Sequence, residues 1–119
     1  MMRGTGTFAG IYLYRSFVDM RKAINGLSQI VSQDLKANPC DGSLFVFISR
    51  DRTILKALYW DKSGFALWQK RFEKERFRWP KSALADSIEV NSEQLDWLLS
   101  GLDIEKSKPH EKLSYQSFS

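Results

Sequence analysis

Apolar positions recur along this chain with two different periods. Met20, Ile24, Leu27, Val31 and Leu35 follow one another at spacings of 4, 3, 4 and 4, which lays one apolar stripe along a helix. Ser16 and Asp19 stand three apart just ahead of that stripe, the spacing of a capping box, so the pattern predicts a helix over residues 17–36. Gly26 inside it costs roughly 1 kcal/mol relative to Ala and points to a close packing contact. Asn38, Pro39, Asp41 and Gly42 end the helix in a turn. Ahead of the helix, Gly10 to Tyr14 is a short β-prone run.

The middle of the chain follows the shorter period. Leu44 to Ile48 is continuously apolar, as in a strand buried on both faces. Thr53 to Trp60 reads as a second strand, Asp61-Lys62-Ser63-Gly64 as a four-residue hairpin loop and Phe65 to Phe72 as the returning strand. Phe65, Trp68 and Phe72 also fit a helical spacing, but no capping residue precedes them. If Trp60 pairs with Phe65, then Leu58 faces Leu67, Lys56 faces Gln69 and Ile54 faces Arg71. Alternation sets Arg52, Ile54, Lys56, Leu58 and Trp60 on one face. Such a ribbon is apolar at its loop end and basic at the other, half packed on a core and half presented to a ligand.

Pro80 biases Trp79 away from helix, so Phe77 to Pro80 is a short extended segment. Ile88 to Val90 suggests a small strand. Asn91 or Ser92 caps a last helix over 92–102 that carries Leu95, Leu98, Leu99 and Leu102, with Gly101 near its end. From Glu105 onward no apolar period survives. The fold class expected is α+β: one domain over residues 1–104, an antiparallel sheet around the central 53–72 hairpin with the two helices flanking it, and a flexible polar tail over 105–119.

Composition narrows the class without naming a function. A chain of 119 residues with 43% apolar and 27% charged residues has room for one domain. No apolar run approaches the roughly 18 residues of a membrane span, and the first ten residues lack the apolar block of a signal peptide. The single Cys40 forbids an internal disulfide. A cytoplasmic protein without a membrane partner is expected.

The net charge of +4 conceals an asymmetry. Residues 1–81 hold fifteen Lys/Arg against seven Asp/Glu, while residues 82–119 hold three against seven. Arg50 to Lys81 alone carries ten basic and four acidic side chains. A basic body suggests an anionic partner, and the acidic last third is able to fold back as an internal competitor.

No catalytic constellation emerges, and no metal or cofactor is expected. Asp61 suits a turn and Asp19 a helix start, while Glu73 and Glu75 lie among Lys70, Arg71, Lys74 and Arg76 as surface ion pairs do. His110 is the only histidine and lies in the tail, which leaves no acid/base pair and no activator for Cys40. Glycine loops that cradle phosphate are absent, Gly4 and Gly6 opening nothing that fits the pattern. Basic side chains interleaved with aromatics remain: Arg50, Arg52, Lys56, Lys70, Arg71, Arg76 and Arg78 alternate with Tyr59, Trp60, Trp68, Phe72, Phe77 and Trp79. Cations neutralise phosphates and an exposed aromatic stacks on an unpaired base, although most of these rings are needed for the core. Arg21 and Lys22 point away from the Met20/Ile24 stripe and extend the basic surface.

Asp19-Met20-Arg21-Lys22 followed by Gly26-Leu27 resembles the opening of a family of insertion-sequence accessory proteins. The likeness continues through Leu44-Phe45-Val46-Phe47, Arg50, Arg52, Leu55-Lys56, Trp60-Asp61, Gly64, Lys70-Arg71, Glu73, Arg76-Phe77 and Trp79-Pro80. Leu95, Leu98-Leu99 and Gly101-Leu102-Asp103 complete it. The family is the TnpB-type accessory protein of the insertion sequence sixty-six group, encoded beside a DDE transposase and distinct from the RNA-guided nuclease of the same label. Three departures from its pattern stand out: the bulky stretch Tyr14 to Val18, Ala23 where Gly is common, and Glu75 in place of Gly. The resemblance implies a role assisting DNA transposition without being the strand-transfer enzyme, and the leading expectation is a non-catalytic accessory protein that contacts DNA, bound non-specifically, the element's transposase, or both. On that reading Arg50, Arg52, Lys56, Lys70 and Arg71 contact phosphate, with Arg21, Lys22, Arg76 and Arg78 as an outer ring. The alternatives are an adaptor that meets the transposase without touching DNA, and a metal-dependent nuclease using Asp19, Asp61 and Glu73.

Overall fold

The apolar run Leu44–Ile48 forms the central strand of the protein, with every one of its side chains no more than 1% exposed. A computed structural model describes residues 7–81 and 85–106, and the strands are β1 (Ile11–Tyr14), β2 (Leu44–Ile48), β3 (Ile54–Asp61), β4 (Gly64–Arg71) and β5 (Ser87–Val90). They form one sheet in the order β4-β3-β2-β1-β5. Helix α1 (Ile24–Gln29), continued by a π-helical turn over Ile30–Asp34, lies on one face, and α2 (Ser92–Leu99) lies on the other.

Strand alternation assigns the two cores. Leu44, Val46 and Ile48 join Ile11, Leu13, Leu55, Ala57 and Tyr59 against Leu95 and Leu98 of α2, with Phe77 and Trp79 closing the layer. Phe45, Phe47 and Leu58 point the other way, onto Leu27 and Val31. Burial of each such side chain contributes about 1.5–3 kcal/mol, and a strand covered on both faces gains it at every position.

The hairpin register is the one that follows from pairing Trp60 with Phe65: Leu58 lies opposite Leu67, Lys56 opposite Gln69 and Ile54 opposite Arg71. Its loop is tighter than expected. Asp61 pairs with Gly64, so only Lys62 and Ser63 are unpaired, and Lys62 takes φ 59°. The α+β class holds, yet the hairpin lies at one side of the sheet with β2 at the centre, and β1 runs parallel to β2. A parallel neighbour requires a crossover, and the segment carrying α1 is that crossover.

The first helix is shorter than the apolar stripe implies. It starts at Ile24 with Ala23 at its N-cap and no side-chain cap. The Asp19 carboxylate accepts instead from the Arg21 amide and guanidinium. The carbonyls of Met20 and Lys22 accept from the Lys56 ammonium, each at 2.8 Å. These carbonyls are held toward a side chain rather than along a helix axis, and the turn over 19–22 replaces a helical start. Gly26 has its packing reason: a Cβ there would lie 3.2 Å from Lys22 Cβ and Cγ.

Helix α2 begins as expected. The Asn91 side chain accepts from the Gln94 amide while the Gln94 side chain accepts from the Asn91 amide, a reciprocal capping box. It ends with Gly101 at φ 89°, the Leu102 amide bonded to the Trp97 carbonyl and the Gly101 amide to the Leu98 carbonyl, which is a Schellman closure. Ile104 is buried against the α2 face, so the chain stays packed to that point. The part of the expected tail from residue 107 on, with Pro109 and His110, lies outside the described residues, as do Gly4 and Gly6.

Candidate nucleic-acid interface

The register places the carboxyl ends of β1, β2 and β4 and the amino ends of β3 and β5 at one end of the sheet. Three segments leave or turn there: residues 15–23 after β1, the turn 49–53 between β2 and β3, and residues 72–81 after β4. Arg21, Lys22, Arg50, Arg52, Arg76 and Arg78 all lie on these segments. Lys62 lies on the turn at the opposite end.

Local bonds tie the three segments together. Val18 N donates to the Ile48 carbonyl, Phe77 N to the Arg52 carbonyl and Phe72 N to the Thr53 carbonyl. The Trp79 indole donates to the Tyr14 carbonyl at 3.1 Å. The 49–53 turn is built around Asp51, whose Oδ1 accepts from the Ser49 hydroxyl and from the Thr53 amide and hydroxyl. Those donors hold the Asp51 carboxyl below its ordinary range. Arg52 follows at φ 63°, which turns its carbonyl to Phe77. At Asp19 the Arg21 guanidinium is the main cause that lowers the carboxyl to about 2.

The candidate cations separate into two groups. Lys56 is 7% exposed, with its ammonium occupied by the Met20 and Lys22 carbonyls. The covered end of the hairpin face is therefore not presented to a ligand, and Lys56 is a structural cation rather than a phosphate contact. Lys70 donates to the Leu99 carbonyl at 2.8 Å and lies 5.0 Å from the Phe72 ring centroid. It neutralises the carboxyl end of α2, where the helix dipole favours a cation. Arg21 and Arg71 carry exposed partners, Asp19 at 2.6 Å and Glu73 at 3.1 Å, and exposed pairs exchange readily for a ligand. Lys22, Arg50, Arg76 and Arg78 are exposed.

Two clefts open at this end. The larger, about 810 Å³, is lined by Arg52, Lys74, Arg76, Arg78 and Lys81 together with Glu73, Glu75, Asp103 and Glu105. Glu105 also accepts from the Lys81 amide at 3.4 Å, so the acidic C-terminal segment does reach the basic body. The smaller cleft, about 180 Å³, is lined by Arg15, Phe17, Arg52, Trp79, Pro80 and Lys81. Arg15, Phe17 and Lys81 are not among the candidates that charge interleaving selects; the signal for them is the bulky, basic-aromatic Arg15-Ser16-Phe17 directly after a strand. Asp19, Asp61 and Glu73 do not converge, and among the described residues no group of three His, Cys, Asp or Glu side chains is placed to hold a metal ion. Cys40 is exposed and unpaired in any disulfide. Among the described residues no helix is long and apolar enough to cross a membrane.

These features define a small α+β domain that gathers cations and aromatics at one end of a mixed sheet. The family model described as IS66 Orf2 like protein matches residues 9–109, and the chain belongs to that family. An uncharacterised protein of Sinorhizobium fredii, y4hO, is 38% identical over 102 residues, covering 86% of this chain and 88% of the relative. A second from the same organism, y4jC, is 35% identical over 86 residues, covering 72% and 73%. No solved structure matches the chain.

Proposed function

We propose that this protein is a non-catalytic accessory factor of DNA transposition that holds DNA against the basic end of its sheet. The observation that carries the reading is convergence: Lys22, Arg50, Arg52, Arg76 and Arg78 come from three separate segments yet lie at one sheet end. Membership of the IS66 Orf2-like family supplies the transposition context. Contacts from arginine and lysine to phosphate give affinity without sequence information, and each neutralised phosphate steepens the dependence on salt. The test is duplex binding by fluorescence anisotropy at two salt concentrations. Tight binding that weakens steeply with salt is expected, and salt-independent or undetectable binding overturns the reading.

A second reading, an adaptor for the transposase, is favoured by the mixed charge of the larger cleft. Four carboxylates among five cations suit a protein surface of alternating sign better than a uniform polyanion. Pull-down of purified transposase in the presence of nuclease separates the two. Retention favours the adaptor and loss favours DNA bridging.

A further inference from the structure

We propose that the smaller cleft is a subsite for one unpaired DNA nucleotide, its phosphate held by Arg15, Arg52 and Lys81 and its base laid on Phe17. This inference rests on the DNA-contacting reading and adds a preference for single-stranded ends or distorted duplex.

Three observations point to it. All three charged residues that line the cleft are cations, and no carboxylate lines it, in contrast to the larger cleft beside it. Phe17 is 46% exposed, one of two large hydrophobic side chains so exposed among the described residues. It stands at the rim of this cleft, where an aromatic face is available for stacking. Third, Arg52 Nε is buried and has no hydrogen-bond partner among the described residues. A buried charged donor without an acceptor is costly, and a small shift of this side chain toward the cleft it lines lets a phosphate oxygen supply the acceptor.

The frame is rigid where the contacts need it. The Trp79 indole is held by the Tyr14 carbonyl, one residue before Arg15. The Arg15 amide donates to the Asp86 carbonyl at 2.9 Å, and the Val18 amide to Ile48 at 3.0 Å, so Phe17 is bracketed by two anchored neighbours. Arg52 lines both clefts and is their shared wall, so a strand crossing the larger cleft passes this subsite. The volume of about 180 Å³ falls well short of the ~300 Å³ at which ordinary ligand pockets begin. It suits the phosphate alone, with the base lying outside it against the exposed Phe17 ring.

The experiment measures the full chain binding to a fluorescein-labelled duplex with a short 3′ or 5′ thymidine overhang and to a blunt duplex of the same sequence. Expected is tighter binding to the overhang, with Phe17→Ala abolishing that preference through at least a roughly 5-fold loss while blunt binding stays within 2-fold of the parent. Arg15→Gln and Lys81→Gln, both at exposed positions, should each weaken overhang binding more than blunt binding. Circular dichroism confirms that the variants are folded. Equal binding of the two duplexes, unaltered by Phe17→Ala, overturns the subsite and leaves the DNA reading standing. Failure to bind either duplex overturns both. Tighter binding of an RNA overhang than of the DNA one overturns the assignment to DNA.

Discussion

The Lys56 ammonium donates to two carbonyls, of Met20 and Lys22, from a side chain that is 7% exposed. Hydrogen bonds from a charged donor are worth about 1.5–3 kcal/mol each, and removing one partner leaves the other's desolvation uncompensated. Lys56→Met keeps the apolar stem and removes the donor, and should destabilise the protein by about 2–4 kcal/mol in urea unfolding. DNA affinity per folded molecule should be unchanged, since Lys56 holds the chain and not the ligand. A second residue-scale prediction concerns acid. Asp19 and Asp51 both titrate lower in the folded protein, Asp19 at about 2. A carboxyl lowered on folding contributes stability in full above its unfolded value of roughly 4 and loses it as pH falls through the folded value. The urea midpoint should therefore fall between pH 5 and pH 2.5, and the Asp19→Asn/Asp51→Asn double variant should show a shallower fall. An equal slope in both proteins would assign the acid limb to other carboxyls.

Two left-handed positions allow tests at the scale of single elements. Gly101 closes α2 at φ 89°, where an L side chain costs about 1–2 kcal/mol. A Cβ would meet Phe72 and Glu75 only at 3.5 Å, an ordinary contact, so Gly101→Ala should destabilise by about 1 kcal/mol through backbone strain alone. Lys62 carries the opposite mismatch, a long side chain at φ 59° in a two-residue hairpin turn. Lys62→Gly should stabilise by about 0.5–1 kcal/mol, read as a rise in the thermal midpoint. Elements governed by local chemistry were legible in the sequence: the hairpin register follows from pairing Trp60 with Phe65 across the turn, and the α2 start from a capping residue at Asn91 or Ser92. The start of α1 was not. The Met20 to Leu35 spacing is the same whether residues 17–23 are helix or turn, and what decides is Lys56, more than thirty residues away. The parallel pairing of β1 with β2 was hidden for a related reason, since a crossover leaves no local mark on either strand. At the candidate interface, Arg50, Arg52, Arg76 and Arg78 stood out by charge. Arg15, Phe17 and Lys81 acquire meaning only once topology brings residues 15–17 to residues 79–81.

For the whole molecule, the decisive property is that charge is distributed by sheet end rather than by stretch of sequence. Lys62 belongs to the same basic stretch as Arg50 and Arg78, yet the fold carries it to the far end of β3 and β4. A uniform basic coat and a localised interface therefore predict different outcomes for the same number of removed charges. If phosphates are neutralised at one end, replacing Arg50, Arg76 and Arg78 together by glutamate should lower the slope of log affinity against log salt by about 2–3, since each lost contact removes roughly 0.9 from it. These three side chains are exposed, so the replacement leaves the packed core intact. Lys62→Glu should alter neither the slope nor, beyond about 2-fold, the affinity itself. An equal decline per charge in both variants would mean that DNA senses only the net charge of the chain. A loss confined to the triple variant would mean that the sheet end is where the polyanion lies, with the Arg15–Phe17–Lys81 cleft beside it.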